Sequence, residues 1–520
     1  MLRAIILCLI LVTCSAYRLL AVFPFPGKSH MILGEGYVRL LLEANHDVTY
    51  LTPAPLKIDH PKLRQIDVSS TEKGFDFDGL FNFKKLINKE VDLSDTNHKY
   101  IVMQYVTESL LMHPNVQKLL LDTDQTFDAV IVEWMYSDLY SGFSTVFNCP
   151  FIWSSSLEPH PMILRLIDSL PNPAYFPDHT SSLEPPYTFL ERVEQLWNIA
   201  KTLYNRWRLK EKEESIYENA FGPAVKKRNR VLPPYNEVKY NGSLILGNSH
   251  VSTGVAFSLP QNYKAISGYY IPKKIPQLPD KIKNIMDKAK NGVIYFSMGT
   301  MAKSKTLPEE LKRNLVDMFG NLKQTVIWKF EEDLDGLPNN VHIVSWAPQQ
   351  SILAHPNCVL FITHGGLLST TEALHYGVPI IGIPVFADQF LNIKRATTKG
   401  FALEVDINYE TPGNLKFAID EILNNPKYRE NIKQLSLVYH DRPVSPAAEL
   451  VHWVEHVVKT KGALHLRSPA LHVPFYQKLY LDLLAVILMM PLVLCKLLKY
   501  MKNKLFGVLK KKGKKTKKNQ

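Results

Sequence analysis

The chain has 520 residues, 46% of them hydrophobic, with five cysteines and a formal net charge of +12. Eleven lysines fall between positions 496 and 520, so the rest of the chain carries about +1, which removes the case for a nucleic-acid partner. Cys8, Cys14 and Cys495 sit in terminal apolar runs, leaving Cys149 and Cys358, which excludes a disulfide scaffold and any cysteine-based metal spacing.

The N-terminus, MLRAIILCLILVTCSAYRLL, has Arg3, an apolar run and a small residue at Ala16, the layout of a cleaved secretory signal over residues 1–16. Short β-rich runs then alternate with longer amphipathic stretches, which predicts an α/β architecture with parallel sheets. RLLAVFP (18–24), HDVTYLTP (46–53), FDAVIVEW (127–134) and CPFIWSSS (149–156) read as buried strands. FPGKSHMILGEG follows the first of them and brings His30 to its end, where a histidine that is neutral near physiological pH can accept a proton. For a lone histidine the plain alternative is a core or loop residue.

Between Thr188 and Trp207, Phe189, Val193, Leu196, Ala200, Leu203 and Trp207 recur at helical spacing. The plain reading is an amphipathic helix packed on the core, and contact with a membrane surface is the sharper alternative. Asn241-Gly242-Ser243 is a glycosylation sequon. After the Pro-rich segment 271–279 a second strand series begins: GVIYFSMGT (292–300), QTVIWKF (324–330), VHIVSWAP (341–348), CVLFITHGG (358–366) and VPIIGIPV (378–385). The expected organisation is two facing Rossmann-like domains, 17–265 and 266–440, with the ligand in the cleft at the strand ends. Helices over 441–477 are expected to return to the first domain.

Residues 478–498 are apolar for about the ~20 residues that a bilayer core requires, and read as one transmembrane helix. Lysines and no Asp, Glu or Arg follow, so the positive-inside rule makes 499–520 cytosolic and the domains lumenal. A GPI anchor is not expected.

The stretch FITHGGLLSTTEALHYGVP (361–379) carries the chemistry. A strand delivers His364, Gly365 and Gly366 to its end and a helix starts, which puts backbone N–H groups and a positive helix terminus where an anion can sit. His364 and the Ser369 hydroxyl can donate to phosphate, and Glu372 can accept from a ribose diol. Trp346 can stack on a planar base, and Asp388 with Gln389 suits sugar hydroxyls. A strand ending in Gly-Gly is by itself ordinary turn chemistry; its neighbours supply the specificity. No GxGxxG follows the first strand, which sets aside a dinucleotide oxidoreductase.

The run WAPQQSILAHPNCVLFITHGGLLSTTEALHYGVPIIGIPVFADQ, Trp346 to Gln389, resembles the signature of the UDP-glycosyltransferase family, and the likeness covers nearly the whole chain. KGALHLRSPA (461–470), with the span and lysine tail, looks like the end of its membrane-bound animal members. The resemblance implies the GT-B fold and inverting transfer from a UDP-sugar co-substrate to a hydroxyl, with no metal or other cofactor. It implies uracil stacked on Trp346 and read by the Ala347 main chain, with Gln349 in the same signature. It implies ribose on Glu372, and the diphosphate on Ser297, Thr300, His364 and Ser369, within a glycine loop that includes Gly299. The sugar then falls to Asp388 and Gln389. Leu368 departs from the members that have Asn there, so one phosphate contact is expected to be missing.

His30 matches the family's catalytic base. The base's usual partner is an aspartate at the end of the FD-apolar strand; here Glu133 stands there, with Asp138 as runner-up, and a helix cap is the structural alternative for Glu133. Members that use UDP-glucuronate generally carry an arginine in the strand before the donor domain, where this chain has Gly247, so UDP-glucose is the expected donor and UDP-glucuronate the alternative. An inactive lumenal binding protein and a glycogen-type or lipid-linked transferase of the same fold are the other readings; the first would have lost His30 or Asp388-Gln389, the second would lack the 346–389 pattern. The acceptor is expected to be a small lipophilic alcohol or phenol, shaped by 76–113 and 160–207. Lys517-Lys518 resembles a dilysine retrieval signal, which implies the endoplasmic-reticulum membrane. Self-association is left open.

Overall fold

The computed structural model describes residues 16–74, 79, 81–91 and 96–516. The signal assigned to 1–16, except its last residue, and Lys517-Lys518 lie outside the described residues.

Seven parallel strands make the first sheet: β1 (Arg18–Val22), β2 (Asp47–Thr52), β3 (Leu63–Asp67), β4 (Ala129–Trp134), β5 (Phe151–Ser155), β6 (Ile245–Gly247) and β7 (Tyr263–Ala265), in the order β3-β2-β1-β4-β5-β6-β7. Six parallel strands make the second: β8 (Val293–Ser297), β9 (Thr325–Lys329), β10 (Val341–Val344), β11 (Cys358–Thr363), β12 (Ile380–Gly382) and β13 (Ala402–Glu404), in the order β10-β9-β8-β11-β12-β13. Both orders reverse direction once, between β1 and β4 and between β8 and β11, and a doubly wound sheet opens its ligand crevice at that point.

The helices that matter below are α1 (Lys28–Glu43), α2 (Phe83–Ile87), α3 (Thr96–Leu111), α4 (Phe189–Lys227), α5 (Gln349–Leu353), α6 (Leu367–Tyr376), α7 (Gln389–Thr398), α8 (Pro446–Lys459) and α9 (Leu481–Thr516). Side chains of β1 alternate between two covered faces. Leu19 and Ala21 join Tyr37 and Leu41 of α1 and Leu450, Val454 and Val457 of α8. Leu20 and Val22 join Leu110 of α3 and Ala220 and Phe221 of α4. Phe83 of α2 belongs to the first half of the chain but is fully buried in the core of the second sheet, the cluster that holds Phe296 and Trp328, and its N–H donates to Thr306 Oγ1 at 3.0 Å.

Two expectations need correction. The apolar stripe 189–207 does not pack on the core: Phe189, Val193, Leu196 and Trp207 are exposed, while Gln195, Thr202, Asn205 and Arg206 of the same helix are buried. The second half of the helix is anchored in the core by Ile216, Ala220, Phe221 and Val225, whereas the inner side of its first half carries hydrogen bonds and an ion pair beside a single buried apolar residue, Ile199. The helix assigned to 478–498 also continues past it: α9 runs unbroken from Leu481 to Thr516, so the lysine-rich stretch up to 516 extends it, and the part long and apolar enough to cross a membrane is Leu481–Val508. Residues 1–467 form one compact unit holding both sheets, and 468–520 form a second.

Candidate active site

A cavity of about 750 Å³ lies between the carboxyl ends of the two sheets. On its first-sheet wall, Gly27 caps α1 and the first helical turn carries His30, whose Nδ1 is 2.5 Å from Oε1 of Glu133 at the end of β4. His30 follows one strand of the switch point and Glu133 ends the other, so the crossover brings together two residues far apart in sequence. Glu133 is fully buried and does not cap a helix; its Oε2 has no hydrogen-bond partner among the described residues. A buried carboxylate with one polar partner is held by that partner, because removing it would leave a charge unpaired in a poor solvent. The edge of Phe25 lies against the imidazole, with ring centroids 4.8 Å apart.

Asp138 takes no part in this pair. It is buried between Arg165 and Arg206, both of which donate to Oδ2, and accepts from Trp134 Nε1 at 2.8 Å. Burial pushes its carboxyl up, but the two guanidinium groups outweigh it and hold the group well below the usual carboxylate range.

The second-sheet wall is built the same way. Ser297 ends β8, and the loop after it holds Gly299 at φ +78°; a Cβ there would meet the His364 ring at 2.7 Å. Gly366 also faces this ring, its Cβ position 2.6 Å from Nε2, so both glycines accommodate the close approach of this imidazole. Gly366 also caps α6, whose free N–H groups point into the cavity end where Ser297, Thr300 and Ser369 lie. Gly365 does not line the cavity; it packs behind, against Ile393, and its carbonyl accepts from Asn392.

Burial, and the charge of Lys329 after it, lower the His364 imidazole to about 4, which favours its neutral form near pH 7. The cation beside it is Lys329 at the end of β9, whose Nζ donates to the Gly299 carbonyl at 3.0 Å and to Glu331 at 2.5 Å. Lys329 was not singled out in the sequence, although a lysine closing the apolar run QTVIWKF was the available signal. Among the described residues no group of three or more His, Cys, Asp or Glu side chains is arranged to hold a metal ion.

Glu372, one turn along α6, is buried and receives Nε2 of Gln349 at 2.7 Å and Nε2 of Gln350 at 2.9 Å, both from α5. Burial pushes its carboxyl up to about 7, against the pull of the two amides. Gln349 also donates to the Ser369 hydroxyl at 3.3 Å. Trp346 is 56% exposed, a large apolar ring offered to the cavity, with Lys28 Nζ 5.2 Å from its centre and Ala347 beside it. The Leu368 carbonyl accepts from Tyr270 at 3.3 Å.

At the far end, Asp388 follows Ala387, which is held at φ +58°, a costly conformation for a residue with a side chain. Burial raises the Asp388 carboxyl, and Asn392 donates to it at 2.7 Å. Gln389 spends its carbonyl on the Val385 and Phe386 N–H groups, so its Nε2 is the end left for a ligand.

Phe81, Val102, Met103, Met135, Leu157 and Phe386 give the rest of the lining an apolar part, and Glu35, Arg39, Lys99, Tyr136 and Ser156 also line it. Residues 160–207 contribute nothing to the lining, contrary to expectation; the stretches after β4 and β5 do that work, and 76–113 contributes through Phe81, Lys99, Val102 and Met103. The sequon asparagine, Asn241, is exposed, with its side chain held by Arg467.

The chain matches the family described as "UDP-glucoronosyl and UDP-glucosyl transferase" over residues 20–518. It is 33% identical to UDP-glucosyltransferase 2 of Dactylopius coccus, over 94% of this chain and 93% of that protein. It is 28% identical to UDP-glucuronosyltransferase 2C1 of Oryctolagus cuniculus, over 88% and 93%. Among solved structures, the calicheamicin glycosyltransferase CalG4 superposes with a TM-score of 0.56 at 18% identity, covering 86% of this chain and 99% of that one, a likeness of fold.

Proposed function

The chain belongs to the UDP-glucuronosyl and UDP-glucosyl transferase family, an enzyme family of the GT-B fold, and from that premise we propose that it moves glucose from UDP-glucose to a hydroxyl of a small lipophilic acceptor. The observation that carries the chemistry is the His30–Glu133 pair on the cavity wall opposite the Trp346–Glu372–His364 surface. With Nδ1 hydrogen-bonded to Glu133, the His30 Nε2 is the nitrogen left to take the proton of an acceptor hydroxyl. That oxygen attacks the anomeric carbon, the bond to the UDP oxygen breaks and leaves its electron pair with UDP, and the configuration inverts. Glu133 orients the imidazole and stabilises the imidazolium formed. The charge on the departing diphosphate is met by Lys329, the α6 N-terminus and hydrogen bonds from His364 and Ser369. Uracil is assigned to Trp346, ribose to Glu372, and the sugar to Asp388 and Gln389.

Glucose is favoured over glucuronate by Gly247. Gly247 stands where the resemblance puts that arginine, and a Cβ at this position would meet the Tyr263 hydroxyl at 1.9 Å, so a side chain enters there only if Tyr263 moves. The apolar wall near His30 suits a phenol or alcohol of low polarity. Membranes carrying the chain, given radiolabelled UDP-glucose or UDP-glucuronate with a panel of phenols and steroids, are expected to label acceptors from UDP-glucose. His30→Ala is expected to abolish the labelling. Transfer that survives this substitution, or that prefers UDP-glucuronate, overturns the reading.

Leu481–Val508 is proposed as the membrane span that anchors lumenal domains in the endoplasmic reticulum. The chain is then expected to carry a glycan at Asn241, which endoglycosidase H removes and Asn241→Gln prevents.

A further inference from the structure

The first half of α4 has the reverse of the pattern that water selects. Phe189, Leu190, Val193, Leu196, Trp197, Leu203, Tyr204 and Trp207 form one stripe along about 28 Å of helix, and Leu190, Trp197 and Trp207 are 75%, 67% and 69% exposed. Apart from Ile199, the buried side of this half is polar and specific. Gln195 donates to Ser181 and accepts from the Asp178 N–H, while Arg206 donates to Asp138 in an ion pair away from water. Rolling the helix to hide the stripe would break these bonds and leave Asp138 short of a partner, so the stripe is held outward.

We propose that this face of α4 lies in the interfacial layer of a lipid bilayer with an anionic surface, a membrane contact of the acceptor-side domain separate from α9. Three features select a bilayer. Trp197, Tyr204 and Trp207 are the ring types that settle at the boundary between acyl chains and headgroups. No Asp or Glu occurs from Gln195 to Lys210, and Lys201, Arg208 and Lys210 are exposed there, which gives the margin of the stripe the charge that anionic headgroups attract. The same chain also carries Leu481–Val508, long and apolar enough to cross a membrane, so a bilayer is always near at hand. The consequence is positional: α4 holds Asp138 through Arg206, Asp138 holds Trp134, and Trp134 follows Glu133, so the docked helix braces the acceptor side of the cavity. A lipophilic acceptor dissolved in the bilayer then reaches that side without crossing bulk water.

The full-length chain, reconstituted in phosphatidylcholine nanodiscs with and without phosphatidylserine, tests this through tryptophan quenching by lipids brominated near the headgroup end of the acyl chain. Because α9 holds the protein to the disc throughout, the quenching reads α4 alone. Quenching is expected in the wild type, to increase with phosphatidylserine, and to be largely lost in Trp197→Ser/Trp207→Ser; Lys201→Glu/Arg208→Glu is expected to remove the phosphatidylserine dependence. Equal quenching in wild type and the tryptophan variant overturns the proposal. So does a dimer in detergent that the tryptophan variant dissociates while bromine has no effect, since the face would then join two copies of the chain. A second measurement rests on the transfer reading above: the tryptophan variant should raise KM severalfold for a vesicle-borne acceptor and leave KM for a water-soluble phenol unchanged. Equal KM changes for both overturn the route of acceptor entry, and the quenching result stands independently of any activity.

Discussion

Three ionisable groups, Glu133 and Glu372 buried and His364 lining the cavity, set what the site can do. Among the described residues Glu133 has no hydrogen-bonding neighbour but His30, so Glu133→Gln is expected to lower kcat about 10²-fold with little change in KM for UDP-glucose, which steady-state kinetics reads directly. Glu372 has a folded-state value of about 7 against an ordinary 4.5. Raised in the folded state, it contributes stability that is fully present below pH 4.5 and is lost as the pH climbs through 7, on the order of 3 kcal/mol in all. A ribose diol donating to the carboxylate favours its ionised form, so UDP binding near pH 7 should release a proton. Calorimetry in two buffers of different ionisation heat should detect that release in the wild type and not in Glu372→Gln. His364 is lowered to about 4 by burial, which makes it a neutral donor and leaves Lys329 as the cation nearest it. Lys329→Met is therefore expected to weaken UDP binding at least tenfold, read by the same titration, with the fold retained.

Among the elements, α2 has the sharpest structural consequence. Five residues long, it would not persist alone; Phe83 anchors it by entering the second core while its chain neighbours belong to the first half. Phe83→Ala is expected to cost about 3–5 kcal/mol by leaving a hole in the core of the second sheet, measured by chemical denaturation, and to raise KM for acceptor because Phe81 loses its support beside Phe386. The stripe of α4 was legible as a helix from its spacing, but the side on which it faces was not. Period alone says which residues share a face; which face turns inward is set by the core packing of the second half of α4, with Ala220 and Phe221, together with the polar bonds of Gln195 and Arg206 in the first.

At the scale of the whole molecule, α8 closes the layer on β1: Leu450, Val454 and Val457, late in the chain, are buried with Leu19 and Ala21 at its beginning. Leu450→Ala is expected to destabilise the first sheet by about 2–5 kcal/mol in denaturant melts, although no residue of α8 lines the cavity. Two sheets of parallel strands, the strand ends that carry the site, and the Trp346–Gln389 signature were readable in the sequence, because buried parallel strands are continuous apolar runs and a ligand-binding turn needs particular residues at close spacing. The edge strands β3, β7 and β13 were not, being three to five residues long and only partly buried. Pairing His30 with Glu133 and not Asp138, enlisting Lys329, filling the space beside Gly247 with Tyr263, and turning the apolar side of α4 outward were decided by tertiary structure. Each depends on which distant side chain occupies one particular volume, and local pattern carries no information about that.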